Sequence, residues 1–133
     1  MPPSLASLLG FVVWTLLLVF ALISWRSVDA LRGHRRLDEF PAGVPHGTDA
    51  YWRLNRAHLN CVENLPLFAT VVLVAHLRGA SIDLLAVTCL GARVGQTLTH
   101  VASGRPAAVL VRATFYTAQL LLLVGMVWTV ARG

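Results

Sequence analysis

The segment from Leu5 to Trp25 constrains this chain more than any other feature, because its residues are nearly all apolar and none is charged. A helix needs about 20 consecutive apolar residues to cross the hydrocarbon core of a bilayer. No Lys or Arg precedes the segment and no small-residue cleavage site follows it, so it lacks the pattern of a secretory signal peptide. The segment therefore predicts a transmembrane helix that is retained in the protein.

The composition of the whole chain also indicates a membrane protein. Of its 133 residues, 56% are hydrophobic and only 13% are charged, which is too apolar for an ordinary soluble domain of this length. Three further segments are long enough to cross the bilayer, at about residues 51–77, 82–101 and 106–131, although each contains polar residues. The sequence therefore predicts one all-α domain over residues 1–133 with four membrane-spanning helices.

The distribution of arginine predicts how these helices are oriented. All 11 basic residues are Arg, against six acidic residues, and the net charge is +5. Arg105 lies in the third connection and Arg78 alone marks the second, whereas six arginines flank the first: Arg26, Arg32, Arg35, Arg36, Arg53 and Arg56. Because basic residues collect on the cytoplasmic side, we expect the first and third connections to face the cytoplasm and both termini to face the opposite side.

Several kinds of site are disfavoured by the same pattern. The arginines lie within or beside the spans, without the interleaved aromatic and basic surface that is typical of strand binding. Cys61 and Cys89 fall on different predicted helices and do not form the paired pattern of a disulfide or metal site. The five histidines show no ligand spacing with Cys or Glu. We therefore predict no nucleic-acid partner and no metal.

Polar side chains recur at helical spacing within the second, third and fourth spans. Residues three or four positions apart lie on the same face of a helix. Three such stripes are present: Arg56, Asn60 and Glu63; Arg93, Gln96 and His100; and Arg112, Tyr116 and Gln119. Because consecutive spans alternate in direction, all three stripes can converge in the cytoplasmic half of the membrane.

The charges in these stripes do not balance. An ionised side chain at the bilayer centre costs roughly 2.5–3.5 kcal/mol on insertion scales, so it must be paired, hydrated or near the interface. Glu63 is the one acid in the stripes, and it cannot neutralise several arginines. The surplus of positive charge predicts an anionic ligand. The alternative, that these residues hold helices together or extend to lipid headgroups, stays open at this point.

The segment RAHLNCVENLPLF, residues 56–68, resembles the motif on the second helix of the MAPEG family, the membrane-associated proteins in eicosanoid and glutathione metabolism. FPAGVPHGTDAYW before the second span, GARV in the third and VRATFYTAQ in the fourth extend the resemblance over essentially the whole chain. It implies a left-handed four-helix bundle that assembles as a homotrimer. It also implies three sites between subunits that open toward the cytoplasm.

The resemblance implies roles for individual residues as well. In enzymes of this family, glutathione binds in a bent shape, and an arginine of helix four stabilises its thiolate for attack on a lipophilic electrophile. Arg112, followed one turn later by Tyr116, best matches that arginine, while Arg105 remains the alternative. The other residues expected to bind glutathione are Arg32, Arg56, Asn60, Glu63, Arg93 and His100. The chain departs from the motifs of some members at Leu59, Gln96 and His100.

Electrostatics makes this chemistry reasonable independently of the family. Glutathione has two carboxylates and one ammonium, which suits a site with several arginines and one Glu. Lowering a thiol pKa of about 8.5 by two units requires roughly 2.7 kcal/mol of preferential stabilisation of the thiolate. One guanidinium at about 4 Å contributes about 4 kcal/mol at an effective dielectric constant near 20. A single arginine is therefore sufficient.

Our leading hypothesis is a glutathione-dependent transferase or peroxidase whose second substrate is a lipophilic small molecule that arrives through the membrane lipids. A non-catalytic member that binds lipid or presents a partner is the first alternative, because the family includes such an accessory protein. A small four-span exporter of cationic drugs is the second. An exporter needs a carboxylate in its first span, and Leu5 to Trp25 has none, which leaves Glu63 as its one candidate.

Overall fold

The computed structural model describes all 133 residues and contains four α-helices and no β-strand. The helices are α1 (Pro3–Leu31), α2 (Asp49–Arg78), α3 (Asp83–Ala102) and α4 (Pro106–Arg132). Helix α1 continues past Trp25 into the first connection, and the other three lie over the predicted segments to within a few residues. The all-α helical bundle confirms the predicted fold class.

The helix ends have local causes in the sequence. Thr48 precedes α2, and its hydroxyl accepts a hydrogen bond from the backbone nitrogen of Tyr51 at 3.2 Å, which satisfies one free N–H of the first turn. Gly79 ends α2 at φ 67°, a left-handed conformation that glycine adopts without a steric penalty. Helices α1 and α4 both begin at a proline, Pro3 and Pro106. Proline has no backbone N–H, which costs nothing in the first turn because an N–H group there has no acceptor within the helix.

Helices α2 and α3 each pack against all three other helices of the bundle. The most extensive packing is between α3 and α4, whereas α1 and α4 do not pack against each other. A Cβ atom at Gly95 would lie 2.9 Å from the Phe115 ring, so glycine at this position allows the close approach of α3 and α4. The most deeply buried apolar residues of the shared core are Phe11, Cys61, Phe68, Val72, Ala75, Ala86 and Met126.

The outer surface of the bundle is suited to lipid. Helices α1, α2 and α4 are long and apolar enough to cross a membrane. Helix α3 is less apolar, but its 20 residues would extend about 30 Å at 1.5 Å per residue, close to the thickness of the hydrocarbon core. Large apolar side chains such as Phe20 and Leu121 are more than half exposed, which fits apolar surroundings better than water.

The two ends of the bundle differ in their connections. The long-loop end holds the first connection (residues 32–48) and the third (103–105), whereas the opposite end holds the second (79–82) and both chain termini. At the opposite end, the backbone nitrogen of Ser4 donates to Asp83 Oδ1 at 2.9 Å, which joins the start of α1 to the start of α3. The polar stripes lie in the half of the bundle toward the long-loop end.

The first connection folds back onto α1 and α2 through an aromatic cluster. The guanidinium of Arg26 lies 5.3 Å from the centre of the Phe40 ring, and its Nε donates to the Tyr51 hydroxyl at 2.7 Å. The His46 ring lies 5.2 Å from the Tyr51 ring. Cation–π and aromatic contacts of this kind each contribute about 0.5–1.5 kcal/mol. They hold the longest connection of the chain against the helices rather than leaving it in solvent.

Candidate functional site

A cavity of about 300 Å³ opens between α2, α3 and α4 at the long-loop end. Each of the three helices contributes residues from one predicted polar stripe. The cavity is lined by Arg56, Asn60, Gln96, His100, Val109, Arg112, Ala113 and Tyr116. The stripes therefore converge in the structure on one concave surface.

The lining of this cavity contains two guanidinium groups and no carboxylate. Arg56 faces it from α2 and Arg112 faces it from α4. Neither arginine takes part in a salt bridge, since both ion pairs of the protein lie at the first connection, between His34 and Asp29 and between Arg36 and Asp38. The cavity is thus positively charged without an internal counter-ion, and its charge favours an anionic ligand.

One wall of the cavity is braced between α2 and α3. His100 is 7% exposed, and its Nδ1 lies 3.5 Å from Asn60 Nδ2. Because an amide nitrogen can only donate, Nδ1 is the acceptor, and a neutral ring then carries its proton on Nε2. Nearby, Arg53 Nε donates to the Val101 carbonyl oxygen at 3.2 Å and joins the same two helices beside the third connection.

Behind the cavity, a buried hydrogen-bond network joins α3 and α4. Arg93 is only 1% exposed, and its Nη1 donates to Gln96 Oε1 at 2.6 Å. The same oxygen accepts a hydrogen bond from Gln119 Nε2 at 3.0 Å. The guanidinium of Arg93 also lies 5.5 Å from the centre of the Phe11 ring, while its Nε and Nη2 have no partner in the protein. Arg93 is therefore inside the bundle and reaches the cavity lining only through Gln96.

Of the residues predicted from sequence to bind glutathione, the cavity brings together Arg56, Asn60, His100, Arg112 and Tyr116. The other four lie outside its lining. Arg93 is buried behind the wall, and Glu63 is exposed on α2. Arg32 is exposed and lines a separate depression at the end of α1. Arg105 is exposed at the start of α4, where its backbone nitrogen donates to Ser103 Oγ at 3.1 Å.

Three lining residues were not among the predicted site residues: Gln96, Val109 and Ala113. A signal for each is present in the sequence. Gln96 belongs to the polar stripe of the third span, between Arg93 and His100. Val109 and Ala113 precede Arg112 and Tyr116 by three residues each, so they share one face of α4. Their small apolar side chains form part of the α4 wall of the cavity.

A second cavity, of about 270 Å³, lies between α1, α2 and the first connection. Its polar lining residues include Arg26, His46, Asn55 and His58. His46 Nδ1 lies 2.8 Å from the Val44 carbonyl oxygen and is therefore the donor of that hydrogen bond, while Nε2 is buried without a partner. This cavity is shielded from the first one by α2, so it presents a separate polar surface on the outside of the bundle.

Comparison with known proteins agrees with this architecture. The MAPEG family model matches residues 4–132 of the chain, which is nearly its full length. No individual curated protein matches the sequence. The resemblance inferred from RAHLNCVENLPLF is confirmed, and an integral membrane protein with a helical bundle is what this family and the apolar helices together indicate. The chain belongs to the MAPEG family, the membrane-associated proteins in eicosanoid and glutathione metabolism.

Proposed function

We propose that the protein is a membrane glutathione transferase or peroxidase and that the cavity between α2, α3 and α4 binds the glutathione. The observation that carries the proposal is that Arg56 and Arg112 face one cavity whose lining has no carboxylate. Membership of the MAPEG family supports glutathione-related chemistry at the level of the family. The positive charge of the cavity lining supports the assignment of that chemistry to the cavity.

The charges of the cavity suit the charges of glutathione. The tripeptide carries two carboxylates and one ammonium, so its net charge is negative and a surplus of arginine is favourable. Arg56 is the residue we assign to a carboxylate, because a guanidinium can donate two parallel hydrogen bonds to it. Asn60 lies one turn further along α2 and is available to the peptide groups of the ligand.

Arg112 is the residue that we assign to the sulfur. In the proposed reaction the thiol proton leaves to water, and the guanidinium stabilises the thiolate that remains. The sulfur then forms a bond to an electrophilic carbon, and the leaving group departs with its bonding electrons. Tyr116, one turn after Arg112 on the same cavity wall, can donate an additional hydrogen bond to the sulfur.

The second substrate in this proposal is a lipophilic molecule that enters from the membrane. Val109 and Ala113 line the edge of the cavity on α4, and Leu110 beside them is 71% exposed on the lipid-facing surface. An apolar molecule can therefore approach the sulfur position without crossing a polar barrier. The cavity lies at the long-loop end, so by the distribution of arginine its opening faces the cytoplasm.

We further propose that three copies assemble as a homotrimer with the glutathione sites between them. Glu63 supports this arrangement, because it is an exposed carboxylate on the membrane-spanning helix α2 and forms no salt bridge within the chain. Such a group facing lipid would be unfavourable. A neighbouring subunit would cover it and bring Glu63 close to the ammonium group of a bound glutathione, and Arg32 close to a carboxylate.

The proposal is tested by titrating detergent-solubilised protein with glutathione and recording the ultraviolet absorbance of the bound thiolate. We expect a thiolate signal at neutral pH in the unmodified protein, and its loss in Arg112→Ala. Arg105→Ala is the matched control, because Arg105 is an exposed arginine at the N-terminus of the same helix and lies outside the cavity.

Three outcomes would contradict parts of this proposal. If no glutathione binds, the assignment of the cavity is wrong. If glutathione binds as an unshifted thiol, the non-catalytic, lipid-binding or partner-presenting alternative is favoured. If Arg105→Ala abolishes the signal and Arg112→Ala does not, the roles of the two arginines are reversed.

A further inference from the structure

We infer that Gln96 donates hydrogen bonds to the ligand in the cavity, and that buried Arg93 is the positioning residue that holds the Gln96 amide in the donating orientation. The inference rests on the proposed function for the identity of the ligand, the anionic tripeptide glutathione. It adds a contact between α3 and the ligand, through Gln96, and it gives a role to Arg93, which does not itself reach the cavity.

The orientation of the Gln96 amide follows from its two partners. A carbonyl oxygen has two lone pairs, and Gln96 Oε1 uses both, for Arg93 Nη1 at 2.6 Å and Gln119 Nε2 at 3.0 Å. A guanidinium can only donate, so the reversed amide would place its NH₂ group against another donor. Arg93 therefore excludes the alternative orientation of Gln96.

The second partner is held in place as well. Gln119 is 1% exposed, and its Nε2 donates both to Gln96 Oε1 and to the Phe115 carbonyl oxygen at 3.1 Å. Both N–H groups of Gln119 are thus used, and its amide cannot rotate without breaking a bond to its own helix. The Gln96 oxygen consequently receives two donors whose positions are set by α3 and α4.

The nitrogen of Gln96 is what remains available to a ligand. Gln96 lines the cavity although only 4% of it is exposed. Its Nε2 makes no hydrogen bond within the protein, and it is not completely buried. Nε2 is therefore the polar atom of Gln96 that remains open to the cavity, on the wall formed by α3. An anion held by Arg56 and Arg112 would accept a hydrogen bond from Gln96.

The burial of Arg93 is difficult to explain by stability alone. A buried cation with two unpartnered nitrogens, Nε and Nη2, is unfavourable, and replacing such a group by an apolar side chain often stabilises a protein. The Phe11 ring beneath the guanidinium offsets only part of this penalty. At the cavity, in contrast, the cation has two useful effects. It orients the Gln96 amide, and it polarises that amide so that its N–H groups become stronger donors.

The test is a double-mutant cycle on glutathione binding and ionisation, with Arg93→Met, Gln96→Leu and the double variant. Because Arg93 acts through Gln96, each single variant should lower the thiolate-to-thiol ratio of bound glutathione about tenfold, and Arg93→Met should have no further effect once Gln96 is replaced by Leu. The thermal stability of Arg93→Met should be unchanged or higher. Thr88→Ala, an exposed position on α3 at the other end of the helix, is the control and should change neither quantity.

Gln96→Glu and Arg93→Lys extend the test. The carboxylate introduced by Gln96→Glu would keep one oxygen for Arg93 and turn the other toward the cavity, so glutathione affinity should fall about a hundredfold. The lysine side chain introduced by Arg93→Lys keeps a donor to Gln96 Oε1 and should restore part of the ionisation lost in Arg93→Met. If Arg93→Met does not fold, Arg93→Lys takes its place in the cycle, with a smaller effect that must likewise vanish in the Gln96→Leu background.

The outcomes separate this inference from the proposed function. If the unmodified protein binds and ionises glutathione and Gln96→Leu does the same, the inference is wrong while the proposed function stands. Additive effects of Arg93→Met and Gln96→Leu would show that Arg93 does not act through Gln96. If the unmodified protein binds no glutathione, the proposed function fails and this inference fails with it.

Discussion

The two ends of this bundle use the same four helices in different ways. At the opposite end, the interior is apolar and closely packed, with Val72, Ala75 and Met126 fully buried. At the long-loop end, the interior holds Arg93, Gln96 and Gln119, and a cavity opens beside them. Packing at one end therefore stabilises a fold that tolerates unpartnered polar groups at the other. Variants at the two ends should therefore affect stability and binding separately.

The largest effect on stability should come from the opposite end. Met126→Ala removes a fully buried side chain from α4 and leaves a cavity in the core. In cores this substitution costs about 2–5 kcal/mol, and we expect about 3 kcal/mol because in lipid the loss is mainly one of van der Waals contacts. Unfolding in mixed detergent micelles measures it. Glutathione affinity of the folded fraction should be unchanged, and a parallel loss of affinity would show that the two ends are coupled.

Arg56→Ala at the long-loop end should lower glutathione affinity without lowering stability. A charge-assisted hydrogen bond contributes about 1.5–3 kcal/mol, so glutathione affinity should fall roughly 10- to 100-fold. Because Arg56 is exposed and forms no salt bridge, the unfolding midpoint should not move. Calorimetric titration of glutathione checks the affinity. Arg35→Ala removes a similarly unpaired charge from the first connection, and an equal loss of affinity in that variant would mean that only net charge matters.

Gly95→Ala should lower both stability and glutathione ionisation to a moderate degree. The added Cβ would lie 2.9 Å from the Phe115 ring, so α3 and α4 must move apart or the ring must shift. Overpacking of this kind costs about 1–3 kcal/mol. Because Gln96 follows Gly95 directly, glutathione ionisation should fall together with stability. Gly91→Ala is the control, since a Cβ at Gly91 has open space around it; glutathione ionisation should be unchanged, and stability should rise by up to about 1 kcal/mol because alanine has the higher helix propensity.

The smallest effect is expected at the start of α2. Thr48→Ala removes the side chain that accepts a hydrogen bond from the Tyr51 nitrogen, which should lower stability by about 1 kcal/mol. Thr48→Ser keeps the hydroxyl and should restore the original unfolding midpoint. Glutathione affinity should be the same in both variants, because the cavity begins two turns further along the helix at Arg56. A change in affinity would show that the start of α2 influences glutathione binding in the cavity.

The helices themselves were predictable from the sequence for physical reasons. Each apolar run is about as long as a bilayer is thick, and features such as Gly79 and Pro106 mark the boundaries. The extension of α1 to Leu31 is less evident, because polar and charged residues begin at Arg26. It is accompanied by contacts of Arg26 with Phe40 and Tyr51 that no local pattern encodes.

The site was predictable in part, and α3 shows why the rest was not. Helical spacing alone was sufficient for Arg56 and Asn60 or for Arg112 and Tyr116, since each pair lies on one face. It could not separate Arg93 from Gln96, because α3 packs against all three other helices and polar residues on it can point to the interior or to the cavity. Glu63 shares the stripe of Arg56 but lies about 10 Å further along the helix axis, at seven residues of 1.5 Å each, and is outside the cavity.

The absence of a carboxylate from the cavity lining also determines which ligands the cavity should exclude. A lipophilic amine or quaternary ammonium compound that diffused in from the bilayer would meet Arg56 and Arg112, and the lining that one chain supplies has no carboxylate to offset them. Electrostatic repulsion of this kind acts before any contact forms, because it lowers the local concentration of cations at the opening. Walls of this charge would thus keep positively charged drugs out, which argues against transport of such compounds through this route.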